Sequence, residues 1–130
     1  MQIADFIGLP YKPKGRNFSG VDCYGVAYLF QREIMGNEVP SYAENYSDPD
    51  ARGSVANAIV SNAGNWLAVD TPERGDVILF NLLGLPVHCG VYVGDGDFLH
   101  SLKGTQTCIE RLDSITWSKR IYRIIRWQKN

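Results

Sequence analysis

From Cys23 to Met35 the apolar residues Val26, Ala27, Leu29, Phe30 and Ile34 return at three- and four-residue intervals. That is the period of a helix with one buried face. Asp22 precedes it as an N-cap, and Gly36-Asn37 follows as a stop. A polar, proline-containing connection, Val39 to Pro49, leads to a second expected helix over Ala51 to Ala63, ended by Gly64. Beyond Pro72 the pattern becomes strand-like. Asp76-Val77-Ile78-Leu79-Phe80 is a short buried strand behind the Arg74-Gly75 turn. Cys89 to Val93 and Asp97 to Leu102 flank Gly94-Asp95-Gly96 as a hairpin, and Cys108 to Leu112 and Ile121 to Trp127 are further strands. Ahead of the first helix, Leu9 to Gly15 is a turn-rich, ordered loop. Helices first and an antiparallel run afterwards predict an α+β fold. No repeat, low-complexity tract or domain boundary interrupts the pattern, so residues 1–130 read as one domain.

Composition narrows the function classes. With 45% apolar and 21% charged residues, the chain has an ordinary globular balance. Thirteen basic against fourteen acidic residues leave a formal charge of −1, so no global field draws it to nucleic acid or an anionic membrane. The longest apolar runs, such as Val77 to Phe80, are far too short for a membrane span. Met1 to Pro10 carries neither a basic leader nor a cleavage site; the expectation is synthesis in the cytoplasm without a secretory signal. Cys23, Cys89 and Cys108 form no CxxC pair and suit neither a disulfide framework nor a zinc site. No metal or other cofactor is expected.

Chemistry enters at Cys23. A thiol in the first turn of a helix faces unpaired N–H groups and the positive end of the dipole, which favour a thiolate. By position alone it is equally well a small buried residue. The two histidines tip that balance, because both fall in one predicted hairpin. Along a strand His88, Gly90 and Tyr92 share one face, and Cys89, Val91 and Val93 the other. A two-residue Asp95-Gly96 loop would pair Val91 with His100 and set the histidines on opposite faces. A three-residue Gly94-Asp95-Gly96 loop would pair Gly90 with His100, diagonal to His88 on the same face. The three-residue register is favoured by the glycine at the third loop position, and a bulge has the same effect. Gly90 then leaves room for a helix to approach. Cys23 becomes the nucleophile, His88 its base and His100 the group that orients His88. Cys89 and Cys108 read as structural.

Other features are given plainer roles. Asp76 caps a strand start. Asp95 and Asp97 belong to the hairpin turn, since the spaced ligands of a calcium loop are missing. Lys119, Arg120, Arg123, Arg126 and Lys129 read as a solvated strand face rather than a nucleic-acid surface. Trp66, Trp117 and Trp127 are core or groove-wall residues.

The stretch from Leu9-Pro10-Tyr11 to Val21-Asp22-Cys23-Tyr24-Gly25 resembles the nucleophile motif of the NlpC-type peptidases. These are papain-like bacterial and phage enzymes that cut peptidoglycan stem peptides. Arg74 to Phe80 resembles the strand that precedes the family's histidine, Val87 to Gly94 the histidine motif, and Phe98-Leu99-His100-Ser101 the third-residue motif. The four occur in the family's order. The resemblance implies a papain-like fold and a cysteine peptidase acting on a γ-D-glutamyl-type amide through Cys23, His88 and His100. It further implies that Tyr11 polarises the oxyanion region and that Asp22 recognises the amino end of a stem peptide. Many members have serine where this chain has Tyr24, at the substrate-binding surface. That departure looks like the phage tail-assembly subset, whose partners are tail-tip proteins. A structural tail protein with vestigial activity, and an acyltransferase or amidase on the same residues, are the alternatives.

Overall fold

The computed structural model describes residues 1–46, 59 and 64–129. A six-stranded antiparallel sheet organises the molecule. Its strands are β3 (Trp66–Val69), β4 (Val77–Leu82), β5 (Leu85–Gly94), β6 (Asp97–His100), β7 (Cys108–Arg111) and β8 (Ile121–Trp127), in the order β3-β8-β4-β5-β6-β7. A two-stranded hairpin, β1 (Arg16–Asn17) and β2 (Gly20–Val21), precedes helix α1 (Cys23–Phe30), and a short helix α2 (Ile115–Ser118) links β7 to β8. This is the expected α+β arrangement of helix before antiparallel sheet. No helix among the described residues is long and apolar enough to cross a membrane.

Both faces of the sheet are covered, which explains the unbroken apolar run Val77 to Phe80. Val77, Leu79, Cys89, Val91 and Leu99 pack on one side with Val26, Ala27, Leu29 and Phe30 of α1. Ile78, Phe80, Phe98 and Ile124 form the other side with Trp117 of α2. Trp66 and Trp127 meet edge-on at 5.1 Å where β3 pairs with β8. Strand β3 was not expected, because Leu67 and Ala68 lie exposed on an edge strand and break the alternation.

Helix α1 starts as the sequence predicts, with Asp22 Oδ1 accepting from the Gly25 N–H at 2.8 Å. Its C-terminal part is different. After Phe30 the chain passes into one π-helical turn, Gln31–Met35, closed by Gly36 at φ +72°. Buried Gln31 occupies that turn; its Nε2 donates to the Gly75 carbonyl and its Oε1 accepts from Asn37 Nδ2 at 2.8 Å. The expected helix Ala51 to Ala63 lies outside the described residues, save Ile59, which is helical and buried.

The β5–β6 hairpin corrects the favoured loop. It closes through the two-residue turn Asp95-Gly96, with φ values of +54° and +84°, and Gly94 sits opposite Asp97. The register then shifts between Tyr92 and Gly94, leaving Val93 as a bulge, and resumes as Tyr92↔Phe98 and Val91↔Leu99. Continued by one residue, it places Gly90 opposite His100. The bulge therefore does what a longer loop would have done. Gly90 does not make room for a helix: a Cβ there would lie 2.9 Å from Phe98, 3.0 Å from the Leu99 carbonyl and 3.2 Å from His100 Cβ. Its space is filled across the hairpin.

Gly25 carries the tightest contact of α1. A Cβ on it would sit 2.1 Å from the Gly15 carbonyl and 3.0 Å from Val21 Cβ. Gly25→Ala improves helix propensity by about 1 kcal/mol, yet overpacking against backbone outweighs that. The expected outcome is a net loss of roughly 2 kcal/mol, read from urea midpoints at unchanged m-value.

Candidate active site

Cys23 opens α1 and is almost fully buried, at 4% exposure. Strand β6 ends at His100, so His88 and Cys89 lie beyond the paired stretch of β5 and β6. The start of α1 comes in there, tied by Ser101 Oγ to the Val21 carbonyl at 3.4 Å. Cys89 and His88 are the side chains that act most directly on the Cys23 sulfur. These two neighbours come from opposite faces of β5. Cys89 does point away from the histidines into the core, as expected, but that core face is where α1 packs, and it meets Cys23.

Behind His88 the polar contacts continue across the sheet. His88 Nε2 lies 2.9 Å from His100 Nδ1, and His100 Nε2 lies 2.6 Å from Glu110 Oε2. The three residues stand on β5, β6 and β7. His100 pairs with Cys108 and Phe98 with Glu110, so His100 and Glu110 are diagonal neighbours. Aromatic rings enclose the imidazoles: Phe80 stacks on His88 at 5.9 Å, and Trp117 stands 5.7 Å from His88 and 4.9 Å from His100.

The electrostatics follow from these contacts. The hydrogen bond from Cys89 is the largest influence on the Cys23 thiol; burial opposes it, and His88 reinforces it. The net effect lowers Cys23 to about 6. Burial and the adjacent Cys23 push Cys89 well up, so it remains the protonated donor. Burial, followed by the neighbouring His88, holds His100 down at about 4, against the opposing pull of Glu110. His100 is therefore neutral at ordinary pH.

The sequence pattern of the NlpC/P60 family matches residues 8–126. The chain belongs to the NlpC/P60 family. It is 27% identical over 119 residues to the murein DD-endopeptidase MepS/murein LD-carboxypeptidase of Escherichia coli (strain K12), covering 92% of this chain and 56% of that protein. It is 31% identical over 122 residues to the gamma-D-glutamyl-L-lysine dipeptidyl-peptidase of Bacillus subtilis (strain 168), covering 92% of this chain and 35% of that one. The chain thus spans about half or less of these relatives. Among solved structures, an NlpC/P60 family protein from Bacillus cereus ATCC 10987 superposes with a TM-score of 0.68 at 25% identity, over 95% of this chain and 37% of that one. The NlpC/p60 domain of the peptidoglycan hydrolase SagA superposes at 0.62 and 19% identity, over 95% and 94% of the two chains, a likeness of fold. The expected papain-like fold is thereby established.

Two residues singled out by the resemblance are buried in this NlpC/P60 chain. Asp22 has no exposed surface. Its oxygens accept from Gly25 N, Lys14 N, Arg16 Nη1 and Tyr46 Oη at 2.8, 2.9, 3.0 and 2.5 Å. A carboxylate so occupied holds the start of the helix. Tyr24 is also fully buried; its hydroxyl donates to the Pro40 carbonyl at 2.7 Å and its ring packs on Tyr42. It faces the core. Tyr11 is placed differently. Its backbone bridges Val21, two residues before Cys23, and it lines a cleft of about 550 Å³ with Pro10, Gly104, Thr105 and Gln106.

Four neighbours of the site were not singled out as such from the sequence: Cys89, Glu110, Trp117 and Arg16. The alternation that put Cys89 on the core face also put it under α1, a signal that was present but unused. Glu110 becomes visible only through the β6–β7 register. The donor atoms of His100, Cys108 and Glu110 all lie within 4.8 Å of one another, the one such trio among the described residues that could hold a metal ion. The short His100–Glu110 hydrogen bond already joins two of those donors.

The lowered Cys23 thiol has a direct reading. Alkylation of Cys23 by iodoacetamide should rise with pH and reach half its maximum near pH 6, instead of near the ~8.5 of a free cysteine. Mass spectrometry of the Cys23 peptide across roughly pH 4 to 10 measures this. A midpoint above about 8 would contradict the arrangement.

Proposed function

We propose that this NlpC/P60 chain hydrolyses an amide bond in peptidoglycan stem peptides, with Cys23 as nucleophile, His88 as general base and acid, and His100 as the residue that orients His88. The observation that carries this reading is the 2.9 Å contact of His88 with His100 beside a Cys23 thiol that His88 helps to lower to about 6. The names of the relatives, a murein endopeptidase and a γ-D-glutamyl-L-lysine dipeptidyl-peptidase, support the substrate class.

The chemistry runs in two halves. His88 takes the proton from the Cys23 thiol, and the thiolate adds to the carbonyl carbon of the stem-peptide amide. Negative charge gathers on the former carbonyl oxygen at the N-terminus of α1, where the Cys23 N–H and the helix dipole favour it. Tyr11, beside Val21, supplies a hydroxyl to the same region. The C–N bond breaks as His88 returns the proton to the departing amine, leaving a thioester on Cys23. Water, deprotonated by His88, then adds to the thioester, and the thiolate leaves and is reprotonated. An amine or alcohol in place of that water would make the same acyl-enzyme a transferase intermediate. The γ-D-glutamyl linkage is the specific bond we assign.

A place in a phage tail tip rests on the sequence resemblance alone. Tyr24, which suggested it, is a core residue and gives no support to a changed substrate surface.

Incubation of purified muropeptides with the protein, followed by mass spectrometry, should show new amine and carboxylate ends. Cys23→Ala should lower the rate by at least about 10⁴-fold, the scale of losing a covalent nucleophile. Equal cleavage by parent and variant would sink the mechanism.

A further inference from the structure

The reading above needs His88 to present a bare ring nitrogen to Cys23, and nothing in an imidazole guarantees that. A neutral histidine carries one N–H on either of two nitrogens, and its hydrogen-bond partners decide which. Here the partners form a series of three groups with one open choice at each ring. Glu110 Oε2 lies 2.6 Å from His100 Nε2, and His100 Nδ1 lies 2.9 Å from His88 Nε2.

We propose that Glu110 is a positioning residue that fixes the tautomers of both histidines and so keeps His88 in the form that can take the proton of Cys23. The inference rests on the assignment of His88 as base. A carboxylate can only accept, so His100 Nε2 must carry its hydrogen. His100 Nδ1 is then bare and must accept, which places the hydrogen of His88 on Nε2. His88 Nδ1 is left bare on the side of the ring away from His100. One acceptor on β7 thus settles two protonation choices on β6 and β5, with no contact of its own to the sulfur.

The surroundings make this the deciding contact. His100 has no exposed surface and its ring is packed against Phe98 at 4.7 Å and Trp117 at 4.9 Å. Water therefore has little room to supply a rival partner. Burial also keeps His100 neutral, down to about 4, so the ring has a tautomer to be chosen. Glu110 itself is half-exposed, with 39% of its side chain in solvent, on a strand at the sheet edge. Its replacement thus disturbs the core little.

Glu110→Gln separates position from chemistry. Its amide matches the carboxylate in shape but offers both an acceptor and a donor. With the NH₂ turned inward, His100 Nε2 becomes the acceptor and the whole series inverts, leaving a hydrogen on His88 Nδ1. A mixture of both orders is expected. Nitrogen-15 spectra of histidine-labelled protein should show His88 Nε2 and His100 Nε2 as hydrogen-bearing in the parent and averaged toward bare in E110Q. E110D should restore the parent pattern. On muropeptides, kcat should fall roughly two- to tenfold in E110Q, in step with the share of protein in the inverted order and short of the ~10²- to 10⁴-fold that losing the base outright would cost, with KM within about twofold.

Parent-like ring-nitrogen signals in E110Q would overturn the proposal, as would a loss of kcat that E110D fails to recover. A lowered melting temperature with unmoved nitrogen signals would show a merely structural residue, and would overturn it too. The spectra need no turnover. If the parent releases nothing from muropeptides, the assigned hydrolysis fails while the nitrogen signals still decide the part played by Glu110.

Discussion

The ion pair between Arg16 and Asp22 is the constraint from which the site is built. Neither charge could be buried alone, since an unpaired carboxylate in the interior costs several kcal/mol. Asp22 is wholly enclosed and its two oxygens take four hydrogen bonds. All five N–H groups of Arg16 are spent, on Asp22, Gly15, Tyr46 and twice on Ser41. One knot thus joins the β1–β2 hairpin, the first turn of α1 and the loop carrying Ser41 and Tyr46. Cys23 is the next residue along the chain. The aim of its sulfur is inherited from a pair that does not touch it.

The second constraint is that a doubly covered sheet has no neutral face. One side of β5 feeds the core under α1, and the other holds His88 among Phe80, Trp117 and His100. The sulfur is served by both, Cys89 from one and His88 from the other. This works because β6 stops at His100 and lets the helix start come in where β5 keeps its β4 neighbour but has no β6 partner. The Val93 bulge holds the histidines in phase, and Gly90 lets the strands come close enough to use it.

The layout of the fold was largely readable from the sequence. Period and caps found α1, β4 to β8 and the hairpin, because those elements bury continuous or alternating faces. Strands β1 to β3 were missed, being only two to four residues long. The turn was read one residue too long, since a bulge and a longer loop leave the same trace in a sequence. In the site, Cys23, His88 and His100 come together where their spacing suggested. The burial of Asp22 and Tyr24 was not legible, because motif neighbours of a nucleophile can as easily face inward as outward. Glu110 was illegible: its nearness to His100 depends on a β6–β7 register that no turn signal declares.

The aromatic enclosure has a consequence for how the site meets its surroundings. Cys23, His88 and His100 are each at most 4% exposed, whereas the Glu110 side chain is 39% exposed. Trp117 and Phe80 close off the ring faces. A peptide seated over the sulfur would cover that end. From then on, the line of polar groups communicates with bulk solution through a single carboxylate at the opposite end, on the margin of the sheet. The site is enclosed at its centre and meets solvent at its tail.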